Sequence, residues 1–181
     1  MNPAAPTTPH PLSKSELPAL TNQALEADLI QISTTLLARG WMLATAESCT
    51  GGMIAAACTD LAGSSQWFER GFVTYSNEAK TELLGVPAGL IATHGAVSEP
   101  VARAMVQGAI RNSTARVATA VTGIAGPTGG VVGKPVGTVW FAWCLDGATF
   151  SERCHFDGGR AAVRVASLHH TLKRLAHMLG A

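Results

Sequence analysis

The sequence predicts a single layered α/β domain, with a mixed sheet and helices packed on its faces. Three observations lead there. Segments of helical period alternate with short strand-like runs along most of the chain, the pattern of a layered α/β domain. Near the end, Asp146-Gly147 separates two strand-like runs, which signals a hairpin and rules out a wholly parallel sheet. Finally, 47% of the 181 residues are apolar and only 14% are charged, enough to build one full core around buried strands.

Each element has its own signal. Leu25, Leu29, Ile32 and Leu36 recur at helical spacing, with Thr21 or Asn22 as N-cap and Gly40 as terminator. Residues 41–45 read as a buried strand, and a helix follows Gly52 to about residue 60. Gly63-Ser64-Ser65 is a turn, and residues 71–75 form a strand with β-branched and aromatic content. Ser76 caps a short helix over residues 77–84, closed by Gly85. Ser98 caps the next, which tolerates Pro100 in its first turn and buries Val101, Met105 and Ala109. Residues 116–121 are a strand, and a glycine-rich loop runs over 123–133. Residues 136–144 and 149–156 form the hairpin strands. A last helix after Gly159 carries the stripe Ala161, Val165, Leu168, Leu172, Leu175 and Leu179. Residues 1–20 read as a disordered leader, rich in proline and poor in periodicity, ahead of a domain over 21–181.

Composition narrows the function. Net charge is +1, with no basic block, so nucleic-acid binding has no electrostatic footprint. No apolar run reaches the ~20 residues of a membrane span, and no secretory signal is read at the start. Cys49, Cys58, Cys144 and Cys154 form no C-x-x-C pair, which fits reduced, inert thiols in a cytoplasmic protein. The six histidines show no H-E-x-x-H and no ligand spacing with cysteine, so no metal is expected; His169 and His170 are placed on the polar face of the last helix.

Four residue sets could carry chemistry. The first is the pair of small-residue turns around Ser48 and Ser65. The stretch Ala46-Glu47-Ser48-Cys49-Thr50-Gly51-Gly52 reads as strand, turn, helix. Free amides of Thr50, Gly51 and Gly52 at a helix start could hold an oxyanion or phosphate, or Ser48 and Thr50 could simply cap the helix. Cys49 beside them is a minor nucleophile candidate. The second is Tyr75, the single tyrosine, with Lys80, whose place near the start of a short helix disfavours its charge. A neutral lysine can deprotonate a serine; an exposed, solvated lysine is the plain alternative. The third is the loop from Thr122 and Gly123 onward, directly after a strand, where open α/β sheets bind ligands. It is not a P-loop, because Pro135 follows Gly133-Lys134. The fourth is Arg160 with Arg164, one turn apart on one helix face; a bound phosphate or an acidic neighbour would account for cations there.

Taken together, these residues resemble a known family. Ala46-Glu47-Ser48-Cys49-Thr50-Gly51-Gly52, Gly63-Ser64-Ser65, Gly71-Phe72-Val73-Thr74-Tyr75-Ser76-Asn77, Ala79-Lys80, His94-Gly95-Ala96-Val97-Ser98-Glu99, Thr122-Gly123-Ile124-Ala125-Gly126-Pro127 and Lys134-Pro135-Val136-Gly137-Thr138-Val139 stand in the order seen in the CinA C-terminal domain family. The resemblance covers residues 25–179 and implies hydrolysis of the carboxamide of nicotinamide mononucleotide to nicotinate mononucleotide and ammonia, with no cofactor. It also implies a homo-oligomer, at least a dimer, with a small-molecule substrate. The family's functional serines, tyrosine and lysine fall on Ser48, Ser65, Tyr75 and Lys80, with Thr122 in the ligand loop. The loop over 128–133 departs from the pattern: it has no acidic residue where relatives often carry one. Some members carry an extra N-terminal domain resembling molybdopterin-binding proteins; no counterpart of it is read here, and its activity is not carried over. Either serine could be the nucleophile, since spacing in sequence does not choose, and either arginine could hold the 5′-phosphate. The alternatives are an amidohydrolase for another small amide, or a nucleotide-binding, competence-related module without activity.

Overall fold

The computed structural model describes residues 22–180. Its elements are α1 (Gln23–Arg39), β1 (Leu43–Glu47), α2 (Met53–Asp60), β2 (Phe68–Val73), α3 (Asn77–Leu84), α4 (Ala88–His94), α5 (Glu99–Arg111), β3 (Val117–Gly123), β4 (Thr138–Leu145), β5 (Ala148–His155) and α6 (Arg160–Gly180). The five strands form one sheet in the order β2-β1-β3-β4-β5. β1 runs parallel to both β2 and β3, while β4 is antiparallel to β3 and to β5. The mixed sheet with helices on both faces is the predicted architecture.

The two faces of the sheet carry side chains of different size. Leu43, Val117, Val121, Val139, Phe141 and Trp143 point toward α1, α2 and α6 and build the larger core. Phe141 and Trp143 stack with ring centroids 5.8 Å apart. The opposite face is lined by Ala44, Ala46, Ala118, Ala120 and Ala142, onto which α5 lays Val101, Met105 and Val106. Small strand residues let α5 approach the sheet closely, so large helix side chains fill the gap. Gly108 makes the same kind of approach to α3: a Cβ there would stand 2.1 Å from the Leu84 carbonyl oxygen.

Most predicted boundaries hold within a few residues. Asn22 caps α1 through its side chain and Gly40 closes it in the left-handed conformation. Ser76 caps α3, and Gly85 ends it. Asp146 and Gly147 both take positive φ, as a tight hairpin turn with the strands' twist requires. Four details differ. The segment Ala88–His94 is helical although its sequence has no clear apolar period. β2 begins at Phe68 rather than Gly71, because pairing with β1 extends it past the region of strong β propensity. Ser98 occupies the N-cap of α5, but its hydroxyl donates to the Gly95 carbonyl and caps no amide. On α6, Val163 rather than Ala161 or Val165 begins the buried stripe. The leader over residues 1–20 lies outside the described residues.

Candidate active site

The site is built at the carboxyl edge of the parallel strands, where open α/β sheets place their ligands. Ser48 is the first residue past β1, and its amide donates to the Val121 carbonyl of β3 at 3.0 Å. Thr74, the first residue past β2, ties its amide to the Glu47 carbonyl at 2.7 Å. These two bonds hold the Ser48 turn and the 74–76 segment side by side. α3 then returns Lys80 into the gap between them.

Lys80 is 1% exposed. Its Nζ lies 3.1 Å from Ser48 Oγ, 2.9 Å from the Thr74 carbonyl, 3.3 Å from the Ser76 carbonyl and 3.4 Å from the Tyr75 carbonyl. Burial lowers its pKa, and Cys49 and Glu78 oppose the shift. A neutral amine has two protons and one lone pair. In the neutral form, which burial favours, the N–H groups can serve the surrounding carbonyls while the lone pair accepts the Ser48 hydroxyl proton. Desolvation is the first cause of the lowered pKa, burial adding to the helix position read from the sequence.

A cleft of about 210 Å³ opens over this pair, lined by Ser48, Tyr75, Asn77, Lys80, Thr122 and Arg160 among others. Three roomier grooves, about 380, 500 and 300 Å³, lie along α3 and α4, beside Trp41, and between α1 and α6; none contains a buried amine beside a hydroxyl. Thr122 Oγ1 donates to the Ala96 carbonyl at 2.9 Å, which draws the segment before α5 over the cleft. Gly123 also lines the cleft, and a Cβ on it would meet Val139 at 2.8 Å and the Cys49 sulfur at 3.1 Å. Only glycine lets the third strand pass so close to the Ser48 turn. Tyr75 is 61% exposed at the rim, where its phenolic oxygen accepts from Arg160 at 2.7 Å. Arg160 also donates to the Gly126 carbonyl at 3.1 Å, so one guanidinium joins α6, the glycine-rich loop and the tyrosine.

Several residues singled out from sequence lie elsewhere or do other work. Ser65 sits in a 3-10 turn (Ser64–Gln66) before the amino end of β2, exposed, while Tyr75 and Lys80 follow its carboxyl end. β2 alone spans about 17 Å, so within one chain the fold does not bring Ser65 to Ser48 and Lys80. The Gly51 and Gly52 amides of the Ser48 turn are already engaged. Glu47, itself 1% exposed, accepts from Gly52 N at 3.0 Å, Ile54 N at 3.1 Å and Ala55 N at 2.8 Å. Its carboxylate therefore occupies the positive end of α2. Gly51 N donates to the Ser48 carbonyl, and Thr50 is fully buried with its hydroxyl unpartnered. Thr50, Gly51 and Gly52 thus shape the turn and do not face the cleft. Neither Ser48 nor Thr50 caps α2; the N-cap is Gly52. Arg164 donates to the Cys49 and Thr50 carbonyls, both at 3.0 Å, and braces the turn from α6. Burial pushes the Cys49 thiol up to about 11, which leaves it protonated and a poor nucleophile.

Sequence reasoning missed Asn77, Ala96 and Val97 as lining residues and Glu47 as the brace. A carboxylate just before a glycine-rich helix start is a legible signal for the last. Lining residues from the loop before α5 carry no such signal, since distant residues, Thr122 and Lys134, tie that segment in place.

Fold and site define a class: a mixed-sheet α/β domain presenting a lysine-paired serine in a cleft at the carboxyl edge of its parallel strands. The chain belongs to the CinA C-terminal domain family, whose sequence profile matches residues 25–179. It is 52% identical over 146 residues to the nicotinamide-nucleotide amidohydrolase PncC of Escherichia coli strain K12, covering 80% of this chain and 88% of that protein. A putative competence-damage inducible protein of Symbiobacterium thermophilum is 51% identical over 164 residues, which cover 85% of this chain but 38% of that longer protein. Among solved structures, the competence/damage inducible protein CihA from Agrobacterium tumefaciens superposes with a TM-score of 0.85 at 43% identity, covering 90% of this chain and 99% of that one.

Proposed function

We propose that this protein hydrolyses the carboxamide of nicotinamide mononucleotide, giving nicotinate mononucleotide and ammonia, with Ser48 as nucleophile and Lys80 as its base. The observation that carries the reading is the 3.1 Å contact between Lys80 Nζ and Ser48 Oγ, with the amine desolvated. The substrate class comes from likeness to the PncC amidohydrolases.

The chemistry balances on these two groups. Ser48 Oγ attacks the carboxamide carbon while its proton passes to Lys80 Nζ. The tetrahedral intermediate collapses, the C–N bond breaks, and the Lys80 ammonium returns the proton to the departing nitrogen, which leaves as ammonia. Water then attacks the resulting Ser48 ester with Lys80 again taking the proton. The ester C–O bond breaks and Ser48 recovers its hydrogen. Tyr75 and Arg160 form the polar rim, with Arg160 the cation available to the 5′-phosphate and Tyr75 a phenol that assists proton transfer near the leaving group. Thr122 fixes the far wall through Ala96.

Ammonia release tests the reading, measured in parallel on nicotinamide mononucleotide, its riboside and nicotinamide. Release from the mononucleotide with much weaker release from the other two is expected, since phosphate contacts supply binding energy. Equal release from all three would favour an amidase for another small amide. No release from a folded protein would favour a ligand-binding module.

A further inference from the structure

The geometry points to a second site, away from the cleft, at which Glu152, Cys154 and His170 bind a zinc-type divalent cation. Glu152 and Cys154 are two apart on β5, so both side chains leave the same face of that edge strand. His170 meets them from α6. All three ligand atoms lie within 4.8 Å of one another. The Cys154 sulfur is 3.5 Å from His170 Nε2 and 3.6 Å from Glu152 Oε1, and Glu152 and His170 are in direct hydrogen-bond contact.

Those separations are what a tetrahedral ion asks of its ligands. With metal–sulfur bonds of about 2.3 Å and metal–nitrogen or metal–oxygen bonds of about 2.0–2.1 Å, neighbouring ligand atoms stand about 3.3–3.6 Å apart. The sulfur already keeps that distance from both partners. Only the carboxylate and imidazole must open slightly, exchanging a mutual hydrogen bond for bonds to the ion. A thiolate, an imidazole and a carboxylate together suit zinc or cobalt rather than magnesium or calcium.

The surroundings hold the ligands in place. Arg174 Nε donates to the second Glu152 oxygen at 3.1 Å, orienting the carboxylate from behind. The His170 ring packs against Phe141, Phe156 and Trp143, with centroids 4.7, 5.9 and 6.2 Å away. Metal binding displaces the thiol proton to solvent, leaving thiolate, carboxylate and neutral imidazole on the ion, with water in the fourth position. β5 lies three strands from β1, about 14 Å across the sheet, so the ion would clip β5 to α6 without entering the reaction.

Cobalt(II) titration of the metal-stripped protein tests this. One equivalent should saturate a near-ultraviolet sulfur-to-cobalt charge-transfer band, and zinc should displace it. Cys154→Ser should abolish the band. Glu152→Gln and His170→Gln, which keep the thiol, should each weaken zinc binding at least about tenfold while ammonia release persists at the unmodified rate. A wild-type protein without a thiolate band overturns the proposal, as does a band that survives in folded Cys154→Ser. If Cys154→Ser does not fold, undiminished zinc affinity in His170→Gln overturns it equally.

Discussion

Lys80 Nζ lies 3.1 Å from Ser48 Oγ although 32 residues separate them. The contact exists because β1 and β2 are parallel neighbours: each ends at the same sheet edge, and α3 folds back from β2 over the end of β1.

Removing the amine should remove the base. Lys80→Met keeps most of the side chain's volume, and its turnover of nicotinamide mononucleotide should fall by about 10²–10⁴-fold, with circular dichroism unchanged. Steady-state ammonia release checks this; wild-type turnover in the variant would refute the role of Lys80.

The depressed pKa of Lys80 has two consequences with pH. Activity needs the neutral amine, so kcat/KM should rise up to about tenfold per pH unit while Lys80 is still protonated and level off above its pKa, which lies below the ordinary 10.5. Stability should follow the same window. Between the folded pKa and 10.5 the unfolded chain binds more protons than the folded one, so folding becomes more favourable as pH rises. Urea unfolding of wild type and Lys80→Met across that window measures it: the wild type should gain on the variant with rising pH, and a constant difference would exclude the shift.

Glu47 supports the site from below. Glu47→Ala strands the amides of Gly52, Ile54 and Ala55 at a buried helix start. The expected cost is about 2–4 kcal/mol, read as a lower denaturant midpoint at unchanged slope. A change within about 0.5 kcal/mol, the usual range for surface sites, would show that Glu47 does not hold the turn.

The two arginines should separate kinetically. Arg160 faces the cleft, so Arg160→Ala should raise KM about tenfold or more with kcat within about threefold. Arg164 grips the Cys49 and Thr50 carbonyls behind the nucleophile. Arg164→Ala should therefore lower kcat and leave KM nearly unchanged. The opposite pattern would reassign the phosphate contact.

The architecture was readable because its signals are local: the α1 stripe closed by Gly40, the Ser76 cap, and Asp146-Gly147 between two strand runs. The site was half readable. Ser48, Tyr75, Lys80 and Thr122 stand at strand ends and helix starts, where period and topology rules place ligands. What sequence could not supply was that Ser48 and Ser65 stand at opposite ends of the paired strands β1 and β2. Ser65 and Tyr75 flank the same strand, so they read as neighbours in the chain but lie at opposite edges of the sheet. A carboxylate before a glycine-rich helix start signals such a brace, but which α2 amides Glu47 takes is a matter of rotamer and burial. Glu152, Cys154 and His170 were invisible as a group for the same reason, since a strand and a distant helix share them.

The most direct test compares Ser48→Ala with Ser65→Ala in one ammonia-release assay on nicotinamide mononucleotide. Ser48→Ala should lose at least about 10³-fold in kcat, as loss of a nucleophile does, while Ser65→Ala stays within about twofold of wild type. A folded Ser48→Ala protein that keeps its turnover, or a Ser65→Ala protein that loses it, would contradict the assignment of Ser48 and Lys80 as the reacting pair.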